Sequence, residues 1–196
     1  MKNFMLITFL LILFTVNNKA ANQQKNCNKE IYWENLSKTE QENILHSPQI
    51  DKNAIKYYHG SFKATDNQQT EDLLRRIISE NNLTKETVFY FYILNQICLK
   101  SDGALSEILG GYCMKFLLRN PALVLRYFQQ NKKVERVYGE FIGYEFYFKE
   151  EGTSDIEYNY KDFKRIIDRK INGYKELKNI LVKFYGIIES AMKNMD

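Results

Sequence analysis

Two histidines and the acidic residues near them are the first candidates for chemistry in this sequence. His46 lies four residues after Glu42, and His59 lies eight residues after Asp51. Imidazole and carboxylate groups are common zinc ligands, but this spacing matches no established zinc pattern. We therefore predict no metal site, and we expect both histidines to face solvent at helix ends.

Cysteine chemistry is the next possibility. The three cysteines are Cys27, Cys98 and Cys113, and an odd number does not suit a disulfide scaffold. A nucleophilic Cys–His pair would need Cys98 or Cys113 beside a histidine, but both lie in apolar segments. We expect them to be buried as small hydrophobic residues. In a simple antiparallel hairpin of their two helices they would lie at different heights, so we do not expect them to pair.

Other catalytic patterns are absent from the sequence. There is no Gly-x-Ser-x-Gly elbow. Gly103, Gly110 and Gly111 do not form a phosphate-binding loop, because they fall inside or at the start of a helical pattern rather than after a strand. The acidic pair Glu150-Glu151 is most simply part of a solvated loop. The sequence therefore indicates no cofactor and favours a protein without enzymatic activity.

The aromatic residues of one segment are the most distinctive feature of the chain. Six of the eleven residues from 138 to 148 are aromatic, which is more than the buried stripe of one helix can accommodate. Some must face outward or be covered by another surface, and exposed Tyr and Phe side chains suit a glycan or a protein partner. The alternative is that the core of the domain absorbs them. The residues that we predict to bind are Tyr138, Phe141, Tyr144 and Tyr147.

Secondary structure must position these residues, and the sequence marks several helix starts. Ser37 and Glu40 have capping-box spacing, which predicts a short helix at about 38–46. Thr84 caps a segment that continues to about Leu99 and is apolar nearly all round, as expected of a central buried helix. Its β-forming residues leave a buried strand as the alternative.

Further signals extend the helical pattern along the chain. Residues 50–64 are ambiguous, after which either Thr65 or Asp66 can cap a helix. Asn120 and Pro121 are the residue types preferred at the cap and at the first position of a helix.

The C-terminal part of the chain is also predicted to be helical. A helix is favoured narrowly over 134–148, although Gly139 and Gly143 each weaken a helix by roughly 1 kcal/mol relative to Ala. Another helix is predicted from Asp155, and the last covers about 174–193. The whole pattern predicts an all-α fold of seven or eight helices. These would form a multi-helix orthogonal bundle or a short α-solenoid-like array of antiparallel helix pairs.

Residues 1–21 have the features of a secretory signal peptide. Lys2 provides the positive start, and Phe4–Val16 form an apolar run of 13 residues, short of the roughly 20 that a helix needs to span a bilayer. The cleavage signal is imperfect, which leaves an uncleaved N-terminal anchor as the alternative. Cleavage after Ala20 or Ala21 predicts an exported protein, periplasmic or extracellular, with no stable membrane span.

Charge and length limit the function of the remaining chain. Loss of Lys2 and Lys19 leaves 26 of the 28 basic residues against 24 acidic ones, a net charge of +2 that gives no electrostatic case for nucleic-acid binding. We predict a polar lead-in over 22–36 and a single helical domain over 37–196. The expected function is binding of another protein through an aromatic helical face. The alternative is an envelope-acting hydrolase with a dispersed carboxylate site.

Overall fold

The computed structural model describes residues 32–79, 83–152, 154 and 156–195, and all regular secondary structure in these ranges is helical. The all-α prediction is confirmed, and the strand alternative for the segment after Thr84 is wrong. The predicted signal peptide lies outside the described residues. This part of the chain contains nine α-helices: α1 (Lys38–Leu45), α2 (Lys52–Tyr58), α3 (Gln68–Ser79), α4 (Lys85–Lys100), α5 (Gly103–Arg119), α6 (Pro121–Gln130), α7 (Lys132–Glu150), α8 (Tyr160–Lys170) and α9 (Lys178–Lys193).

Two capping boxes fix the starts of α1 and α4. The Ser37 hydroxyl accepts a hydrogen bond from the backbone N–H of Glu40, and the Glu40 carboxylate accepts one from the Ser37 N–H, so the predicted box is confirmed. Thr84 and Thr87 make the equivalent pair of bonds at α4. Each box satisfies two backbone donors that have no partner inside the helix.

Two other helices begin later than predicted. The cap of α3 is Asn67, one or two residues beyond the predicted caps, and its side chain accepts from the N–H of Thr70. The Thr65 hydroxyl is engaged elsewhere, since it accepts from the side-chain amide of Asn67. The helix predicted from Asp155 begins instead at Tyr160, because the preceding Asn159 provides the side-chain cap.

The compact unit begins at Tyr32 rather than at Ser37. Tyr32 and Trp33 are each only 3% exposed. The Trp33 ring lies 4.7 Å from the ring of Phe89 and 5.5 Å from that of Tyr58, measured between centroids. The end of the predicted polar lead-in therefore belongs to the core, because burial of two large aromatic rings outweighs the polarity of their neighbours.

Helix α7 is the centre of the domain. It packs against α4, α5, α6 and α9, most extensively against α9 and α5. These contacts between helices make the described residues a helical bundle. None of the helices among them is both long enough and apolar enough to cross a membrane.

Two glycines allow α9 to approach the backbone of α7. A Cβ atom built on Gly143 would lie 2.6 Å from the Cβ of Ala191, and one built on Gly139 would lie 2.5 Å from Cγ2 of Ile187. Both distances are too short for real side chains. These glycines weaken α7 in isolation, but their missing side chains are what the contact with α9 requires.

A third glycine brings α5 against the opposite side of α7. A Cβ atom on Gly110 would collide with the backbone carbonyl of Phe141 and the side chain of Glu145. The Glu145 carboxylate accepts hydrogen bonds from the N–H of Gly111 at 3.1 Å and from the hydroxyl of Ser154 at 2.9 Å. Glu145 thus fastens α7 both to α5 and to the loop that follows α7.

Tyr138, one of the residues predicted to bind a partner, lies in the core. It is 0% exposed, and its hydroxyl donates a 2.9 Å hydrogen bond to Oδ1 of Asn95 on α4. Its ring lies 5.5 Å from the ring of Phe128, edge to face. Burial raises the pKa of Tyr138, so its phenol remains neutral. This residue has no surface to offer a partner, and the predicted binding set is corrected accordingly.

Cys98 and Cys113 are buried free thiols, as predicted, but the expectation that they lie at different heights is wrong. Their Sγ atoms are 3.4 Å apart. Ser101 and Asp102, which connect α4 to α5, are extended. The sulfur–sulfur distance shows that α4 and α5 are not arranged as the simple antiparallel hairpin on which that expectation rested.

We expect Gly143→Ala to lower the free energy of unfolding by about 1–3 kcal/mol, the usual cost of forcing an extra methyl group into a packed core. The new Cβ would be pressed against Ala191 and the carbonyl oxygen of Ile188. The matched control is Gly186→Ala on the exposed side of α9, where nothing lies within 4 Å of the new Cβ. Helix propensity should make that control more stable by about 1 kcal/mol. Urea unfolding measures both, and equal effects would contradict the close approach of α7 and α9.

Tyr138→Phe should lower the free energy of unfolding by about 1–3 kcal/mol, because the buried Oδ1 of Asn95 loses its donor. Adding Asn95→Leu should restore most of the loss, since both partners are then apolar. The control is Tyr144→Phe, at a half-buried position of α7 outside the core, which should change stability by less than about 0.5 kcal/mol. Equal losses for Tyr138→Phe and Tyr144→Phe would show that the buried hydrogen bond does not stabilise the fold.

Candidate binding site at the outer side of α7

The core absorbs only two of the six aromatic residues between 138 and 148, namely Tyr138 and Phe146. Phe148 is 37% exposed, and the other three are half-buried. Three of the four predicted binding residues therefore remain accessible. We call these four accessible residues the aromatic surface: Phe141, Tyr144, Tyr147 and Phe148.

The aromatic surface follows from the helical period. Phe141, Tyr144 and Phe148 are spaced by three and four residues, which places them on one side of α7. Ile142, on the opposite side, is fully buried. The ring of Tyr147 lies 5.7 Å from that of Phe148, edge to face, and extends the surface sideways. One helix thus presents an apolar core face and an aromatic outer face.

Next to Tyr147 lies a cleft of about 230 Å³, formed where the end of α7, the start of α8 and the end of α9 meet. Its lining combines tyrosine rings, a methionine, three carboxylates and one ammonium group. Tyr147 belongs both to this lining and to the aromatic surface, so the two features are continuous. We call this feature the acidic cleft, lined by Tyr147, Glu150, Glu151, Tyr160, Glu189, Met192 and Lys193.

Glu189 is held in place by two neighbours. It accepts a 2.9 Å hydrogen bond from the hydroxyl of Tyr160, and its Oε1 lies 3.1 Å from Nζ of Lys164. The hydrogen bond from Lys164, followed by that from Tyr160, lowers the pKa of Glu189 despite partial burial. The Lys164 ammonium also lies 5.2 Å from the ring centre of Tyr160 and 4.8 Å from that of Tyr185. Glu189 is therefore a fixed, compensated anion.

Tyr160 and Tyr185 are neutral hydrogen-bond donors. Burial raises the pKa of Tyr160 and of Tyr185, and neighbouring carboxylates add to the shift. The hydroxyl of Tyr185 lies 3.2 Å from Oδ1 of Asp168, and the ring of Tyr160 lies 5.2 Å from that of Phe146. Tyr160 and Glu189 form the inner wall of the cleft, and they are therefore held against the core in the absence of a ligand.

This arrangement suits binding of a cation better than acid–base catalysis. A carboxyl that acts as general acid near neutral pH needs a raised pKa, and the pKa of Glu189 is lowered. Glu150 and Glu151 are exposed at the end of α7, where water solvates both carboxylates. Exposed carboxylates beside an aromatic ring are what a lysine or arginine side chain recognises.

The histidines and acids considered for metal binding have structural roles. His46 and His59 are exposed C-caps of α1 and α2, which confirms their predicted placement at helix ends. Nδ1 of His46 lies 2.7 Å from the carbonyl oxygen of Glu42, and Asp51 caps α2. Among the described residues, no group of three or more His, Cys, Asp or Glu is placed to hold a metal ion.

Sequence reasoning did not find Tyr160, Glu189 or Met192. These residues come from two helices that are separated along the chain by a turn, and no local pattern joins them. The sequence contains one relevant pattern. Glu189 lies four residues after Tyr185, and the neighbouring Ile188 belongs to the apolar stripe of the same helix. A carboxylate beside that stripe, one turn after a tyrosine, indicates a polar contact at the edge of the core.

No protein-family model matches the chain, and no significant match was found with curated proteins or with solved structures.

Proposed function

We propose that this protein is an exported, non-enzymatic helical module that binds another protein through the aromatic surface and the acidic cleft. The partner segment places a lysine or arginine side chain in the cleft and an apolar side chain on the aromatic surface. The observation that carries this proposal is the continuity of the two features through Tyr147. Together they offer a charged pocket beside an apolar contact area, the combination typical of interface hot spots.

The charge of the cleft supports a partner that carries a basic side chain. The Lys164 ammonium compensates the charge of Glu189. The excess negative charge of the lining therefore comes from Glu150 and Glu151, which outnumber the single ammonium group of Lys193. Both carboxylates are exposed, and their attraction for a cation is screened by salt. The electrostatic part of binding therefore favours association rate and specificity, while the aromatic surface supplies the apolar contact.

Export rests on the apolar run Phe4–Val16 and its flanking residues, which lie outside the described part of the chain. The run has the length of a signal-peptide core. The near-neutral charge of the remaining chain and its helical domain suit a module that meets its partner in the periplasm or outside the cell.

A hydrolase acting on envelope polymers is the second candidate, favoured by the three carboxylates around the cleft. The lowered pKa of Glu189 argues against it, since that carboxyl holds no proton to donate near neutral pH. Turnover of a purified envelope polymer by the wild-type protein, abolished by Glu151→Gln, would replace the binding proposal with this one.

We expect a random peptide library screened against the purified protein to yield peptides that contain Arg or Lys next to an apolar residue. Affinity for a selected peptide should fall at least about 10-fold in Tyr147→Ala, as expected of a central hot-spot residue. Tyr144→Ala should weaken it as well. The matched control is Tyr174→Ala, which removes a tyrosine ring that is 39% exposed and lies outside the candidate site.

A separate variant tests how much the charged residues of the cleft contribute to binding. Glu150→Gln combined with Glu151→Gln should weaken the selected peptides and make their affinity less dependent on salt, as measured by titration calorimetry at several ionic strengths. Peptides without basic residues, or affinities indifferent to the tyrosine and glutamate substitutions, would contradict the proposal.

Export predicts a defined N-terminus. Sequencing of the protein recovered from the periplasm or the medium should begin at Ala21 or Asn22, as expected after signal-peptidase cleavage. An intact Met1 on protein found in a membrane fraction would show a tethered chain instead.

A further inference from the structure

A pair of thiols lies between α4 and α5 with no role in the binding proposal. Cys98 is 3% exposed and Cys113 is 0% exposed, and their Sγ atoms are 3.4 Å apart. The two residues belong to successive helices joined by two extended residues.

We propose that Cys98 and Cys113 form an intramolecular disulfide bond in the mature protein. The two sulfur atoms need to move together by only about 1.4 Å to reach disulfide bonding distance. Both side chains are held by the packed core, so the pairing is already selected by the fold. The occurrence of the bond in the cell rests on the proposed export, because disulfides persist in oxidising compartments.

The oxidant is a disulfide, either a small one such as oxidised glutathione or that of a thiol–disulfide oxidoreductase. The thiolate of one cysteine attacks this disulfide, which forms a mixed disulfide and releases one thiolate. The second cysteine thiolate then attacks the mixed disulfide at the first cysteine's sulfur and releases the other thiolate. The two protons lost by Cys98 and Cys113 end on the two released thiolates. The protein loses two electrons, and the oxidant is reduced to two thiols.

The bond forms while the domain is folding. In the folded state burial raises the pKa of the Cys113 thiol, and the hydrogen bond with Cys98 and the nearby Glu145 carboxylate act in the same direction. The thiolate that exchange requires is therefore scarce in the native protein. Once the core has closed, the same burial shields the completed bond from reductants.

The bond would tie together two helices that both pack against α7. The closed loop is short, so the stabilisation expected from restricting the unfolded chain is moderate. Its structural effect is to fix α5 relative to α4, beneath the helix that carries the aromatic surface. Cys27 lies outside the described residues.

The test begins with the full chain, unfolded under reducing conditions and refolded in a glutathione redox buffer. Free thiols are alkylated, and the protein is digested with trypsin without reduction. We expect the peptides 86–100 and 101–115 to be recovered linked, with a mass lower than their sum by two hydrogen atoms. The link should persist in Cys27→Ala and disappear in Cys113→Ala. Recovery of both peptides unlinked and alkylated, or linked to Cys27, would overturn the proposal.

Two further measurements separate this inference from the proposed export. Wild-type protein refolded with reductant present should have a thermal midpoint several degrees lower than protein refolded in the redox buffer, whereas the Cys98→Ala, Cys113→Ala double variant should have the same midpoint under both conditions. An equal response of both would overturn the bond. Protein recovered from the periplasm or medium should carry the link. If the link forms on refolding but the cellular protein is reduced and retains Met1, export is overturned and the chemistry of the pair stands.

Discussion

The close approach of α7 to its neighbours on two sides is the constraint on which the rest of the domain depends. Gly139 and Gly143 admit α9, and Gly110 admits α5, because none of them places a Cβ between the backbones. Large rings of α7 are buried where their side chains lie between the neighbouring helices, as those of Tyr138 and Phe146 do. Rings on the side of α7 that faces away from these helices, such as that of Tyr144, remain accessible.

The helices of this domain are predictable from the sequence wherever a local interaction defines them. The capping box of Ser37 and the cap of Thr84 involve residues within one turn, so their spacing is visible in the chain. The role of Gly143 is not, because a glycine in a helical pattern reads only as a loss of helix propensity. Its contribution depends on Ala191, which lies on a different helix. The position of Cys98 beside Cys113 likewise depends on how two helices are arranged in space.

The candidate site also combines features that can be predicted from the sequence with features that cannot. The excess of aromatic residues is a property of one helix, so counting what one buried stripe can hold predicts that some of its rings face outward. The acidic cleft depends on three helix ends that meet in space. The burial of Tyr138 shows the limit of this count. The count predicts how many rings must face outward, but it does not predict which ones. Which rings are buried depends on contacts with other helices, such as the hydrogen bond from Tyr138 to Asn95 on α4.

The residues that line the acidic cleft differ in how much conformational freedom they would lose on binding. Tyr160 and Glu189 are already joined to each other and to the core, so contact with them costs little conformational entropy. Glu150 and Glu151 lie at the last turn of α7, where long exposed side chains retain their freedom until a cation fixes them. In the proposed complex, the apolar contact and the tyrosine wall should therefore set the lifetime. The rim carboxylates should set the rate at which a basic segment arrives and its sensitivity to salt.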